Sequence, residues 1–155
     1  MWSDAFITQA RSDWEIYQEL KDNYSQCHEL HYLQMTTEKL SKAALAAPPK
    51  SHQVFLKFLR STLHNSRIRN ELAENPNQYR AIINEILPIA QKIEQLAPAY
   101  DGVASNSEYP WMQPDGSVAS PSTHNFPIWD ELKTVSGRKL LNLISELVDK
   151  FEKFY

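Results

Sequence analysis

Cysteine, glycine and long apolar runs are scarce in this chain of 155 residues, and each scarcity excludes a class of protein. A single cysteine, Cys27, can form neither an intramolecular disulfide nor a thiolate cluster for zinc. No segment approaches the roughly 20 apolar residues of a membrane-spanning helix. The N-terminus lacks a cationic start followed by an apolar core, so it does not resemble a secretory signal. We therefore expect a cytoplasmic protein without a membrane span.

The common sequence motifs of catalysis and cofactor binding are also missing. The chain has no phosphate-cradling glycine loop, no nucleophile elbow and no paired histidines at metal-binding spacing. Cys27, His28 and His31 are close in sequence, but Cys27 and His28 point to different faces of a helix, so a metal site here would need distant carboxylates. The net charge of −3 gives no global attraction to nucleic acid, so only local patches are left to consider. We predict neither a cofactor nor a metal.

What the chain does contain is helical periodicity. Between residues 30 and 46, apolar or small side chains recur at steps of three and four, which places them on one face of an α-helix. These residues are Leu30, Leu33, Thr37, Leu40 and Ala44. Glu38 and Lys42, four residues apart, are expected to form a supporting pair on another face.

Similar patterns along the chain predict an all-α protein: one domain over residues 1–155, folded as an antiparallel up-and-down bundle of four to five long helices. The predicted helices run from Ser3 or Asp4 to Asn23, from Ser25 to Ala46, from Ser51 through Leu63, from Asn75-Pro76 to Leu96, and from Ser136 onwards. Pro88 predicts a kink in the fourth helix. A long irregular loop over residues 97–125 precedes the last helix, and a short helix is expected through Trp129 and Leu132.

A row of cations on the third helix is the first candidate for function. Lys57, Arg60, His64 and Arg67 follow one another at steps of three, four and three residues, so a continuous helix would align them in one ridge. Such a ridge can contact phosphates, because neutralising them releases condensed counterions. The ordinary interpretation, which we favour, is a solvated face opposite the apolar side of the helix.

The second candidate is the loop before the last helix, which contains Tyr100, Glu108, Tyr109, Trp111 and His124. Aromatic faces support base stacking of roughly 1 to 3 kcal/mol per base. The alternative, which we favour, is that the aromatic rings attach the loop to the bundle. No lysine or arginine occurs between Lys92 and Lys133, so the loop is acidic and is suited to pairing with the cationic ridge. His124 either titrates in a binding site or hydrogen-bonds as a structural residue.

The order of these motifs resembles the HEPN superfamily. That family's second helix carries an aromatic residue, a glutamine, small residues, Glu-Lys and then Lys-Ala. Here these positions are Tyr32, Gln34, Thr36, Thr37, Glu38, Lys39, Lys42 and Ala43. Ser51-His52 resembles the start of the family's third helix, and Glu108-Tyr109-Pro110 resembles its Arg-Tyr-Pro loop. The likeness covers nearly the whole chain.

The resemblance implies an antiparallel helical bundle that is often dimeric. Some members of the family are metal-independent ribonucleases, and others accompany nucleotidyltransferases. The nuclease members carry an arginine followed by a histidine, and neither Arg60 with His64 nor Arg69 with Glu74 reproduces that motif. Glu108 also replaces the arginine of the loop.

Three functions follow as hypotheses. The leading one is a non-catalytic HEPN-like module, a homodimer, that binds a nucleotide or a partner protein such as a nucleotidyltransferase. The enzymatic alternative is a ribonuclease with a rearranged site, which would act on RNA. The third is a purely structural homodimer. The candidate binding residues are Lys57, Arg60, His64, Arg67, Glu108, Tyr109, Trp111 and His124.

Overall fold

A computed structural model describes residues 2–98 and 104–155. Its helices are α1 (Trp2–Leu20), α2 (Gln26–Leu45), α3 (Phe55–Thr62), α4 (Ser66–Leu72), α5 (Pro76–Glu94), α6 (Pro127–Glu131), α7 (Val135–Asp149) and α8 (Phe151–Phe154). Two short strands, β1 (Trp111–Met112) and β2 (Val118–Ala119), and a 3-10 turn (Pro121–Thr123) lie between α5 and α6. The all-α prediction is confirmed.

The first two helices form an antiparallel hairpin. Near its open end, the Ser3 hydroxyl donates to the carbonyl of Ala43 at 2.9 Å. Further along, the Lys39 ammonium group contacts the Asp13 carboxylate at 2.9 Å. A helix that started at Ser3 would use this residue as its cap. Helix α1 begins at Trp2 instead, and the Ser3 side chain connects α1 to α2.

The apolar stripe of α2 faces the core, as the periodicity predicts. Leu30, Leu33 and Leu40 are completely buried, Thr37 is nearly so, and Ala44 is partly buried against the same cluster. Cys27 is buried on this helix as well, and burial raises the pKa of its thiol. One contiguous core joins side chains from all the long helices.

The third predicted helix is two short helices. It begins at Phe55, not near Ser51, and α3 ends at Thr62. The side chain of Asn65 accepts hydrogen bonds from the backbone N–H groups of Arg67 and Ile68, and so caps a new helix, α4. The continuous helix that would align the cationic ridge is therefore wrong, because the helix is interrupted between Thr62 and Ser66.

Helix α5 begins as predicted. Asn75 caps it by accepting from the N–H of Gln78 at 2.9 Å, and Pro76 occupies the first turn. The helix continues without interruption past Pro88 to Glu94, and the kink expected at this residue stays a prediction. Pro88 and Asn84 are both exposed, so water can satisfy the carbonyl that loses its usual donor.

The predicted irregular loop contains a small hairpin that the sequence did not indicate. Trp111 pairs with Ala119 and Met112 with Val118, with Trp111 and Ala119 on the buried side. Gly116 makes the turn possible through its φ of +82°. Tyr100, which was predicted to anchor this loop, lies outside the described residues.

The short helix α6 is confirmed and is fixed to α2 at two points. The side-chain oxygen of Gln26 accepts from the N–H of Phe126 at 2.8 Å, and the Trp129 indole N–H donates to Glu29 at 3.3 Å. Helix α7 begins at Val135, next to the start predicted near Ser136, and the Thr134 side chain caps it. These contacts bring the 3-10 turn and the start of α6 to the side of α2.

Candidate functional site

A cleft of about 1710 Å³ lies between α2, the residues before α3, the end of α5, residues 104–109 and the start of α6. Pro98 and Ala104, which flank the undescribed segment, are both at its rim. Four glutamates line it, together with two lysines and two histidines. These residues are Glu38, Glu94, Glu108, Glu131, Lys57, Lys92, His52 and His124. The cleft therefore has mixed charge with an excess of carboxylates.

One wall is a polar row on α2. Glu38 accepts from the Gln34 amide at 3.0 Å and from the Lys42 ammonium at 2.5 Å. Lys42 is 3% exposed and also donates to the carbonyl of Pro49 at 2.7 Å. The pair predicted for a supporting face is thus buried, and it joins α2 to the segment that leads to α3.

Above this row, His52 reaches the cleft from the loop before α3. Its Nδ1 atom lies 3.4 Å from a Glu38 carboxylate oxygen, and its side chain is 61% exposed. The contact becomes an ion pair only when the imidazole is protonated. The Glu38 carboxylate therefore contacts Gln34, Lys42 and His52 while it lines the cleft.

The start of α3 is capped by a side chain from another helix. Val54, at the N-cap position, has no side-chain oxygen to offer. Glu94 of α5 supplies one instead, and its Oε1 accepts from the N–H groups of Phe55 at 2.8 Å and Leu56 at 3.3 Å. The carboxylate also compensates the positive end of the helix dipole. A free anion therefore has no vacant position at this helix terminus.

Residues 104–109 form a tight turn at the opposite rim. The buried Asn106 side chain accepts from the N–H groups of Glu108 at 2.9 Å and Tyr109 at 2.7 Å. The N–H of Ser107 donates to the carbonyl of Leu96 at 3.1 Å. Both interactions fix the direction of the chain, and they leave Tyr109 at the cleft with 61% of its surface exposed.

The last two glutamates of the cleft each lie beside a basic side chain of the same chain. A Glu108 carboxylate oxygen lies 3.4 Å from His31 Nδ1, and Glu131 forms an ion pair with Lys92 at 2.6 Å. Lys57 differs from these groups, because it has no ion-pair or hydrogen-bond partner in the part of the chain that the structure describes. It is the lysine of the cleft whose charge is open to a ligand.

The structure brings four of the eight predicted binding residues together. Lys57, Glu108, Tyr109 and His124 line the cleft. Trp111 is 6% exposed, and its ring centroid lies 4.9 Å from that of His124 and 6.4 Å from that of Phe126. It attaches the hairpin to the bundle, as the interpretation that we favoured from the sequence predicts.

The other three predicted residues do not reach the cleft. Arg60, His64 and Arg67 are exposed on α3, on the connection and on α4. They lie on two separate helices and the connection between them, so no continuous helix aligns them in one row.

Sequence reasoning missed several contributors, among them Gln34, His52 and Glu94. Gln34 and His52 appeared in the sequence only as parts of the family resemblance. No local signal marks Glu94, because its partners are backbone groups about 40 residues away in the chain. Residues 2–98 and 104–155 contain no group of three side chains that could hold a metal ion, and no described helix is both long and apolar enough to cross a membrane.

The fold and the cleft together define an all-α helical-bundle protein with a large cleft of mixed charge. No protein-family model matches the chain, and no curated protein or solved structure is significantly similar to it.

Proposed function

We propose that this chain is a non-catalytic, HEPN-like binding module whose cleft holds a segment of a partner protein. The observation that carries the proposal is that three of the four glutamates in the cleft, Glu38, Glu94 and Glu131, already form hydrogen bonds within the chain. Their positions are thus fixed before a ligand arrives, which reduces the cost of ordering side chains on binding. The cytoplasmic location expected from the sequence belongs to the same proposal.

A polypeptide suits this cleft better than a nucleic acid does. Four carboxylates against two lysines would repel a chain of phosphates. A peptide instead offers backbone N–H donors, side chains of both signs and apolar groups. The HEPN resemblance makes a nucleotidyltransferase one partner of this kind.

A mononucleotide is the second candidate, and a specific observation favours it. Tyr109 is 61% exposed at the rim, and Lys57 lacks a carboxylate partner among the described residues. A tyrosine face supports stacking of a base by roughly 1 to 3 kcal/mol, and one open lysine meets a phosphate.

Selection from a library of short random peptides tests the leading proposal. The full chain is immobilised, and the enriched peptides are measured against Tyr109→Ala and Lys57→Ala. We expect affinities at least about tenfold weaker for these two variants, because truncating a residue that dominates an interface costs about 2 kcal/mol or more. Titration with ATP on the same variants measures the nucleotide alternative.

Matched controls come from residues outside the cleft. Tyr24 is 64% exposed, so Tyr24→Ala removes a tyrosine as accessible as Tyr109. Arg67→Ala removes a positive charge from α4. Both controls are expected to keep the affinity of the original chain. Failure to enrich any peptide, or equal losses in Tyr109→Ala and Tyr24→Ala, would overturn the proposal.

The ribonuclease alternative is tested by incubating the protein with structured and single-stranded RNA in the absence of metal. We expect no cleavage. Cleavage that Arg60→Ala or Arg69→Ala abolishes would establish the enzymatic function in place of the binding module.

The homodimer is a separate proposal with its own test. The test is to measure the sedimenting mass at low and at high salt. At low salt we expect the mass of two chains. A monomer mass under both conditions would contradict it, and would also exclude a dimer joined through the basic helices and the acidic loop.

A further inference from the structure

A second cavity, of about 320 Å³, lies where α1 ends against α2, α6 and the beginning of α7. Two aromatic side chains, Tyr17 and Trp129, form part of its wall. Leu30, Leu132 and Leu141 provide an apolar surface in the same cavity. Its size is at the lower end of the range for small-molecule sites, roughly 300 to 1,000 Å³.

Charged groups of both signs face this cavity without pairing with one another. The acids are Asp22 and Glu29, and the bases are Lys21, Lys133 and Arg138. Within the described residues, no ion pair joins either acid to any of the three bases. Acidic and basic side chains that line one cavity without forming ion pairs are available to a ligand that carries a positive and a negative charge.

Glu29 is the central acid, and its charge lacks a counterion in the part of the chain that the structure describes. The residue is 3% exposed. One carboxylate oxygen accepts from the N–H of Asp22 at 2.9 Å, and the other accepts from the Trp129 indole at 3.3 Å. Both donors are neutral, so a ligand ammonium group would add the positive charge that a buried carboxylate normally requires.

The basic groups have donors to spare. Arg138 uses Nη1 to donate to the carbonyl of Lys133 at 2.9 Å, and its other guanidinium N–H groups make no hydrogen bond to a described residue. The Lys133 ammonium lies 3.0 Å from the centroid of the Trp129 ring. Lys21 has no ion-pair partner in residues 2–98 and 104–155. Two to three cations are thus ready to meet a carboxylate.

Tyr17 adds a hydroxyl without a hydrogen-bond partner among the described residues, although only 5% of the residue is exposed. Burial, with the nearby charges of Glu29 and Asp22, raises the pKa of this hydroxyl to about 12. It is therefore protonated at neutral pH and acts as a hydrogen-bond donor. A ligand oxygen in the cavity would give this donor an acceptor.

We propose that this cavity binds a small zwitterion, an α-amino acid with an apolar side chain. Its ammonium group lies toward Glu29 and Asp22, its carboxylate toward Lys21 and Arg138, and its side chain against the leucine surface. This site is separate from the large cleft, and it does not depend on the function proposed there.

Calorimetric titration of the full chain with the proteinogenic L-amino acids tests the proposal. L-leucine is compared with 4-methylpentanoate, which lacks the ammonium group, and with 3-methylbutylamine, which lacks the carboxylate. We expect at least one apolar amino acid to bind at least about tenfold more tightly than its two truncated analogues, which corresponds to about 1.4 kcal/mol. Polar and charged amino acids are expected to bind more weakly.

Two variants assign the ends of the ligand. Asp22→Asn keeps a residue that tolerates the left-handed backbone found there, at φ 63°, and removes the charge facing the ammonium group. Arg138→Gln removes a charge facing the carboxylate, and Arg138→Lys is expected to restore part of the affinity. Arg80→Gln and Asp115→Asn, at exposed positions elsewhere, serve as charge-matched controls.

The possible outcomes separate this site from simpler ones. Equal affinity for the des-amino acid would mean an anion site, and equal affinity for the amine would mean a cation site; either result overturns the zwitterion. The proposal is also overturned if no amino acid gives a heat of binding at concentrations up to about 10 mM. That result would mean a binding free energy weaker than about 3 kcal/mol. Tyr109→Ala should leave amino-acid binding unchanged, because Tyr109 belongs to the other cleft.

Discussion

Lys42 shows at the residue scale how a charged side chain becomes part of the interior. Only 3% of the residue is exposed, yet its ammonium group contacts Glu38 at 2.5 Å and the Pro49 carbonyl at 2.7 Å. It also lies 5.5 Å from the centroid of the Phe6 ring. Its three hydrogen-bonding directions are largely used inside the protein, so its charge is compensated where water is excluded.

Replacing this lysine tests that interpretation. We expect Lys42→Met to lower the free energy of unfolding by about 3 kcal/mol, because it leaves the Glu38 carboxylate buried without a cation. Urea unfolding followed by circular dichroism measures the change. Lys139→Met is the control, since it breaks an exposed pair with Glu85 and should have a much smaller effect. Similar losses in both variants would contradict the interpretation.

Tyr17 makes a second prediction at this scale, on the dependence of stability on pH. Its pKa is about 12 in the folded chain, against about 10 for an ordinary tyrosine. The unfolded chain therefore releases this proton first, and the stability that is present below about pH 10 is lost as the pH rises toward 12.

At about pH 11 this one group should account for a loss of about 1 kcal/mol. Tyr17→Phe removes the titrating hydroxyl, so the variant should lose that much less stability between about pH 8 and pH 11. Urea unfolding of both proteins at the two pH values gives the difference. Parallel losses in the two proteins would show that Tyr17 ionises alike in the folded and unfolded chains.

At the scale of the elements, the junction of α6 and α7 depends on a close approach between backbones. A Cβ atom placed on Gly137 would lie 2.2 Å from the carbonyl oxygen of Glu131 and 2.5 Å from the Cα atom of Leu132. These are backbone atoms and cannot rotate away. The first turn of α7 can therefore pack on the end of α6 only if this residue has no side chain.

We expect Gly137→Ala to destabilise the fold by about 1 to 3 kcal/mol, although alanine is the better helix former. The control is Asn142→Ala on the exposed side of α7, which raises the helix propensity without bringing a Cβ atom against another backbone. This variant should leave stability nearly unchanged or raise it. Thermal unfolding of the two variants measures the contrast. An increase in stability for Gly137→Ala would show that α7 moves freely relative to α6.

For the whole molecule, the first and last helices hold the bundle closed. The Arg11 guanidinium donates to both carboxylate oxygens of Glu152, at 2.8 and 2.7 Å, and to the carbonyl of Val148. Phe151 and Phe154 on α8 are buried in the common core. Residues about 140 positions apart therefore share one interface.

A chain that ends at Asp149 should be less stable by at least about 3 kcal/mol, since burial of each phenylalanine contributes about 1.5 to 3 kcal/mol. The shift of the urea midpoint measures this loss. Glu152→Gln in the full chain removes the ion pair and keeps both rings, so it is the matched control. If that variant lost as much stability as the shortened chain, charge and not burial would close the bundle.

Much of the architecture could be predicted from the sequence because helix signals are local. The stripe on α2, the Asn75-Pro76 start of α5 and the short helix at Trp129 all depend on residues within a few positions of one another. The same local reasoning joined α3 and α4 into one helix. The Asn65 cap that separates them competes with helix continuation in a way that spacing alone does not reveal.

The candidate site was only partly predictable. Tyr109 and Glu108 stood out by residue type, and Lys57 by spacing. Their arrangement around one cleft depends on the turn at Asn106 and on the packing of α5 beside α3, which are contacts between distant parts of the chain.

The sequence alone determined that this protein is helical and which face of each long helix is apolar, because both follow from the period of hydrophobic residues. Only the tertiary structure decided which polar groups are buried and which remain open. Glu38 and Lys42 look like a surface pair in the sequence. In the structure Glu38 lines the cleft, and the buried Lys42 holds it in place through their ion pair. Lys57 has the same chemistry as Lys42 and stays free, because burial and partner choice depend on which helices pack together.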